Sequence, residues 1–172
     1  MPSAPSVLAL LFPLLLLPLS SLAGAPVTPE SAYNDAGYID VNKDGKHHMF
    51  YWMFESRGDP SADSVILWLS GGPGCSSSLA LFGENGPIAV NPDLSLVVNP
   101  NSWTANATVV WVDQPVGTGF SYGEGLDHNE DAVAADMTEF VKAFMERYVR
   151  STKIIEISVC SLSIIYHGCG MD

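Results

Sequence analysis

Residues 119–123 read GFSYG. The pattern G-x-S-x-G marks a nucleophilic serine when that serine stands on a sharp turn between a strand and a helix, its hydroxyl exposed for attack on an acyl carbon. Around Ser121 that setting is missing. The preceding strand-like run, TVVWVD (108–113), ends eight residues earlier, and Gly123-Glu124-Gly125 follows, which starts no helix cleanly. The context therefore argues against Ser121 as a nucleophile. A second stretch, SGGPGCSS (70–77), closes another apolar run. Consecutive glycines let bare backbone N–H groups approach a ligand closely. Such groups stabilise the oxyanion that forms during acyl transfer. A plain glycine turn explains the same residues, so this stretch alone leaves both readings open.

The elements that would position these residues can be read from the hydrophobic pattern. GYIDV (37–41) and HHMFYWMFES (47–56) flank the turn Asn42-Lys43-Asp44-Gly45 and read as a hairpin. The turn carries too few further acidic ligands for a calcium loop. Arg57-Gly58-Asp59-Pro60 is turn chemistry rather than an adhesion motif. VILWLS (65–70) and TVVWVD (108–113) are continuous apolar runs, the mark of parallel strands covered on both faces. Between them lie a short helix, Ser78 to Phe82, and a Pro/Asn-rich loop. From Asn129 to Tyr148, Val133, Met137, Phe140, Val141 and Phe144 recur on one helical face, with acids early and Lys142 and Arg147 late. Hairpin, strand, loop, strand, helix is the opening of an α/β sheet.

Taken together, GYIDV, FESRGDP (54–60), VILWLSGGPGCSS (65–77), FGENGP (82–87), NPNSWTANATVVWVDQPVGTGFSY (99–122) and the following helix resemble the serine carboxypeptidase family. The similarity runs over roughly Tyr33 to Tyr148. It implies the N-terminal part of an α/β-hydrolase sheet, with a hairpin, two parallel strands and one long helix, truncated before the nucleophile strand. The activity it implies is that of a hydrolase releasing C-terminal amino acids from peptides. By resemblance, the Gly72 N–H is an oxyanion donor. The Gly71 N–H, residue 70 and Glu84 bind the carboxylate at the peptide C-terminus. A glutamic acid can donate to a carboxylate only while it holds its proton, which favours work in acid. Position 70 is Ser70, where the family's peptidases usually carry Asn; a hydroxyl offers one donor and a shorter reach than an amide. That departure admits the family's acyltransferase branch as an alternative. The family's nucleophile lies in a later G-E-S-Y elbow that does not occur here, and its acid and base lie further on. This chain alone is therefore expected to be inactive, and a non-catalytic fragment or binding protein is the remaining alternative. Cys75 pairs in the family with a distant downstream cysteine, and that partner is expected to be absent. Residues 149–172 diverge from the family. In the implied strand order, 65–70 lies between 108–113 and the nucleophile strand. The chain should be unstable unless Ile154 to Cys160, rich in residues that suit a strand, docks in that place.

Composition narrows the setting. The 172 residues carry a net charge of -12 and are 47% hydrophobic, too apolar for disorder and too acidic for nucleic acid. Val7 to Leu19 is an uncharged apolar block, followed by Ala23-Gly24-Ala25, a secretory signal peptide with cleavage after Ala25. Residues 26–148 then form the main domain. The expected destination is the secretory pathway, extracellular or vacuolar and lysosomal, with no membrane contact once the signal is removed. Asn106-Ala107-Thr108 is a glycosylation sequon. The three cysteines, Cys75, Cys160 and Cys169, suit no zinc site, and the reading calls for no metal and no cofactor.

Overall fold

The computed structural model describes residues 34–42, 44–71 and 74–148, and the backbone of residues 155–160. The expected cleavage site at Ala25 and the Gly72 N–H lie outside these residues. The elements are β1 (Asn34–Asp40), β2 (His47–Phe54), β3 (Val65–Ser70), α1 (Ser78–Gly83), β4 (Ile88–Val90), β5 (Leu96–Val98), β6 (Thr108–Val112), β7 (Tyr122–Gly123), α2 (Glu130–Tyr148) and β8 (Ile155–Cys160).

The main sheet runs β1-β2-β6-β3-β8, with β7 also on β2. β1, β2 and β6 pair antiparallel, and β3 lies parallel to β6 from Val65↔Thr108 to Leu69↔Val112. β8 lies parallel on the other side of β3, from Val65↔Ile155 to Ser70↔Cys160. The apolar run VILWL is thus a central strand. Residues 155–160 take the place that sequence reasoning reserved for a surrogate strand, so both backbone edges of β3 are paired.

Strand alternation divides the core in two. Met49, Tyr51 and Met53 of β2, Leu67 and Leu69 of β3, and Val110 and Val112 of β6 pack on one face beneath Phe140 and Phe144 of α2. Phe54, Trp68, Val109 and Trp111 point to the opposite face, against Ala80 and Leu81 of α1. β6 has cover on both sides, so all five of its residues are buried, and the four after Thr108 are apolar. Two features depart from the sequence reading. The loop after α1 contains the two-stranded β4–β5 hairpin, whose three-residue strands are too short for alternation to register. The apolar face of α2 also contains a buried carboxylate, Asp136. Among the described residues no helix is long and apolar enough to cross a membrane.

Candidate functional site

β3 and β6 are parallel neighbours, so their carboxyl ends lie side by side and their two glycine-rich loops leave the sheet together. The carboxyl ends of parallel strands are where open α/β sheets form ligand sites. One buried side chain fastens the two loops. Asp113, 1% exposed, directly follows β6. Its Oδ1 accepts from the Ser77 N–H at 2.7 Å and from the Ser76 hydroxyl at 2.8 Å. Its Oδ2 accepts from the Phe120 N–H at 2.9 Å. A carboxylate that accepts three such bonds replaces the water it loses on burial. Ser77 adds a second tie, accepting from the Ser70 N–H at 3.0 Å and donating to the Val112 carbonyl at 2.6 Å.

This clasp accounts for the G-x-S-x-G stretch. Gly119 has φ +55°, and a Cβ there would lie 2.2 Å from Asp113 Oδ2 and 2.9 Å from Ser76 Cβ. A Cβ on Gly123 would lie 2.7 Å from the Lys46 carbonyl, where β7 crosses the start of β2. Ser121 is buried between them. Its hydroxyl donates to the Asp113 carbonyl at 2.6 Å and accepts from the Phe50 N–H at 2.7 Å. A hydroxyl held in this way bridges two backbone segments, and among the described residues no histidine hydrogen-bonds it to take its proton, as a nucleophile needs. Both glycines and the serine are therefore explained by backbone approach.

The predicted recognition residues distribute as follows. Ser70 ends β3 half-buried, and Gly71 follows it, also half-buried. Glu84 lies on the turn after α1, with its side chain exposed. Its backbone is fixed: the N–H donates to Ala80 O at 3.0 Å, and its carbonyl accepts from Asn99 Nδ2 at 3.2 Å. The same turn requires Gly86, where a Cβ would fall 2.0 Å from Leu81 O. Asn106 is exposed at the end of a 3₁₀ turn, Trp103–Ala105. Cys75 requires a correction. It is disulfide-bonded, where the resemblance implied that its partner is missing.

Sequence reasoning passed over one cluster. His47, Asp127 and Asp136 bring nitrogen and carboxylate atoms within 4.8 Å of one another. Such donors are of the kind that can hold a metal ion, but His47 directs both ring nitrogens at oxygen acceptors, Asp136 Oδ2 at 2.5 Å and the Glu124 carbonyl at 3.1 Å. This is the geometry of a hydrogen-bonded cluster. The signal available in the sequence was phase: His47 shares the inward parity of Met49, Tyr51 and Met53.

A mixed sheet layered between helices, with paired loops at the carboxyl ends of adjacent parallel strands, is an α/β-hydrolase arrangement. In structure the chain is similar to a prohormone-processing carboxypeptidase from Saccharomyces cerevisiae, with a TM-score of 0.64 and 28% identity, covering 73% of this chain and 30% of that one. The family profile described as serine carboxypeptidase matches residues 26–156, and the chain belongs to that family. It is 50% identical over 113 residues to carboxypeptidase Y of Saccharomyces cerevisiae, a span covering 65% of this chain and 21% of the relative. With a serine carboxypeptidase family member of Dictyostelium discoideum it shares 43% identity over 122 residues, covering 69% of this chain and 29% of the relative. The chain thus spans less than a third of the length of these relatives.

Proposed function

We propose that this chain forms the face of a serine-type carboxypeptidase that recognises the carboxylate at the C-terminus of a peptide. Ser70, the Gly71 N–H and Glu84 bind that carboxylate, and the Gly72 N–H serves as the oxyanion donor. The observation that carries this reading is the Asp113 clasp, which holds the end of the glycine loop that leaves β3 by accepting two hydrogen bonds, from the Ser76 hydroxyl and the Ser77 N–H. Preorganised backbone donors of this kind act without reorganising at the moment of reaction. The first residue of the loop, Ser70, leaves acyl transfer to an acceptor other than water as a second reading, because a hydroxyl grips a carboxylate less firmly than an amide does.

The polypeptide binds without turnover in this reading. Hydrolysis through an acyl-enzyme requires a serine activated by a base that is itself held in place. Among the described residues, His47 and His48 direct their rings at Asp136, the Glu124 carbonyl and Asp40 rather than at a serine. The uncharged block of residues 7–19 and the family match beginning at residue 26 support a cleaved leader and passage through the secretory pathway, to the vacuole, lysosome or cell exterior.

Titration of the chain at about pH 5 with a blocked dipeptide, followed by amide NMR, tests the recognition reading. The free-acid dipeptide is expected to shift Ser70, Gly71 and Glu84, and its C-terminal amide is expected to leave them unmoved. Equal shifts from both ligands would show that the carboxylate is not what is recognised.

A further inference from the structure

The start of α2 is fixed to the sheet by a charge cluster that the site above does not use. His47, the first residue of β2, and Asp136, in the second turn of α2, are 4% and 7% exposed. Asp127, half-buried, lies on the segment leading into the helix. His47 Nε2 stands 3.1 Å from the Glu124 carbonyl, which can only accept, so Nε2 carries a hydrogen. Nδ1 stands 2.5 Å from Asp136 Oδ2, a separation at which two bare lone pairs would repel and a shared proton binds. Asp127 Oδ2 is buried without a hydrogen-bond partner, so a second negative oxygen adjoins the pair. The arrangement is therefore satisfied only while one proton lies between His47 and Asp136 in addition to that on Nε2.

We propose that His47, Asp136 and Asp127 form a proton-dependent latch, which fastens helix α2 to the β1–β2 hairpin in acid and loosens it as the pH rises through and above neutrality. The charged groups around it do not offset the lost proton. On β2, Lys46 is already paired with Glu124 at 3.6 Å, and both side chains are exposed. His48 points to the other face of the hairpin, where it meets Asp40 at 2.6 Å. β7 brings only Gly123 against the His47 ring. From the helix side come Asp127, Asp136 and, in the exposed first turn, Glu130 and Asp131. Among the described residues, His47 is the one cationic group inside the cluster.

The titration of the two buried partners has the matching sign. The hydrogen bond that His47 donates to Asp136 holds the His47 proton above the ordinary imidazole range, against the opposing effect of burial. Burial raises the Asp136 carboxyl above its ordinary range, with His47 opposing and Asp127 adding to the rise. A group that keeps its proton more tightly when folded stabilises the fold at low pH and loses that contribution as pH rises through its folded pKa. For His47 the loss begins above its ordinary value of 6.5. One linked proton changes the folded-to-unfolded ratio by up to about tenfold per pH unit. The inference is independent of the peptidase reading.

Urea unfolding of the chain at pH 5 to 9, with hydrogen exchange at each pH, tests it. The folded-to-unfolded ratio is expected to fall above pH 6.5, by up to about tenfold per unit. Amides of residues 130–136 should lose protection before those of β6. Asp127→Asn removes the neighbouring charge while keeping the shape, so it should match the wild type at pH 5 and exceed its ratio several-fold at pH 8. The His47 Cε1 proton, followed by NMR, should titrate above 6.5. Parallel pH curves for wild type and Asp127→Asn would overturn the proposal, as would a His47 titration at or below 6.5.

Discussion

Substituting Gly119 by alanine tests the clasp, because the structure assigns the glycine two separable duties. The first is conformational: at φ +55° an L-residue is strained by about 1–2 kcal/mol. The second is steric, since the new Cβ would fall 2.2 Å from Asp113 Oδ2 and force that carboxylate or the loop to move. Overpacking of this kind costs about 1–3 kcal/mol. Gly119→Ala should therefore destabilise the chain by about 2–5 kcal/mol. Asp113→Ala strips an acceptor from the Ser77 and Phe120 N–H groups and from the Ser76 hydroxyl. Each unsatisfied donor costs about 1–3 kcal/mol, with the lower end fitting the half-buried Ser76 and the exposed Phe120, so the total is about 3–5 kcal/mol. The informative quantity is the double variant. Once the carboxylate is gone, the alanine methyl loses its worst clash, and its backbone strain and the 2.9 Å approach to Ser76 Cβ remain. The pair should then be less destabilised than the sum of the singles by about 1–3 kcal/mol. Urea unfolding at pH 5.5 measures all four proteins, and amide exchange at Phe120 and Ser77 reports the clasp locally. If the two effects add to within about 0.5 kcal/mol, Gly119 and Asp113 do not act on one another and the reasoning fails.

Three further outcomes follow. Ser121→Ala should cost about 1–3 kcal/mol, because the Phe50 N–H loses its buried acceptor; denaturant unfolding checks this. Deleting residues 155–160 exposes one edge of β3, so Val65 to Leu69 should lose their amide protection and the chain should aggregate, as seen by hydrogen exchange and light scattering. Burial, first among the causes, pushes Tyr51 and Tyr148 above the ordinary tyrosine value of 10.0. Their contribution to stability is then full below that value and lost as the pH rises through the folded pKa. Ultraviolet titration should show that replacing either tyrosine by phenylalanine leaves the absorbance change between pH 9 and 11 as in the wild type.

The central strands and the long helix were legible because they obey strong periodic rules. VILWLS and TVVWV are apolar without interruption, since each is covered on both faces, and Phe140 and Phe144 keep a helical spacing. The negative reading of Ser121 was also available, since no helix starts directly after Gly123. Its positive explanation was not. That Gly119 stands against Asp113, and that Ser121 spans Phe50 and Asp113, depends on contacts between segments up to 71 residues apart. Nothing in the sequence marks Asp136, because a buried acid is recognisable only beside its partner, and His47 lies 89 residues away. The β4–β5 hairpin left no pattern that three-residue strands could carry, and its Leu96, Val97 and Val98 remain exposed. The place of residues 155–160 followed from a different kind of argument: a fully apolar strand needs a neighbour on each edge.

The central claim is that the G-x-S-x-G stretch is architecture and that this chain contributes recognition rather than a nucleophile. Treating the purified chain with a fluorophosphonate at about pH 5 and pH 7.5, followed by peptide mass spectrometry, tests it directly. The expected result is an unmodified peptide containing Ser121 at both pH values, with no release of amino acid from a blocked dipeptide. Stoichiometric phosphonylation of Ser121 would contradict the account.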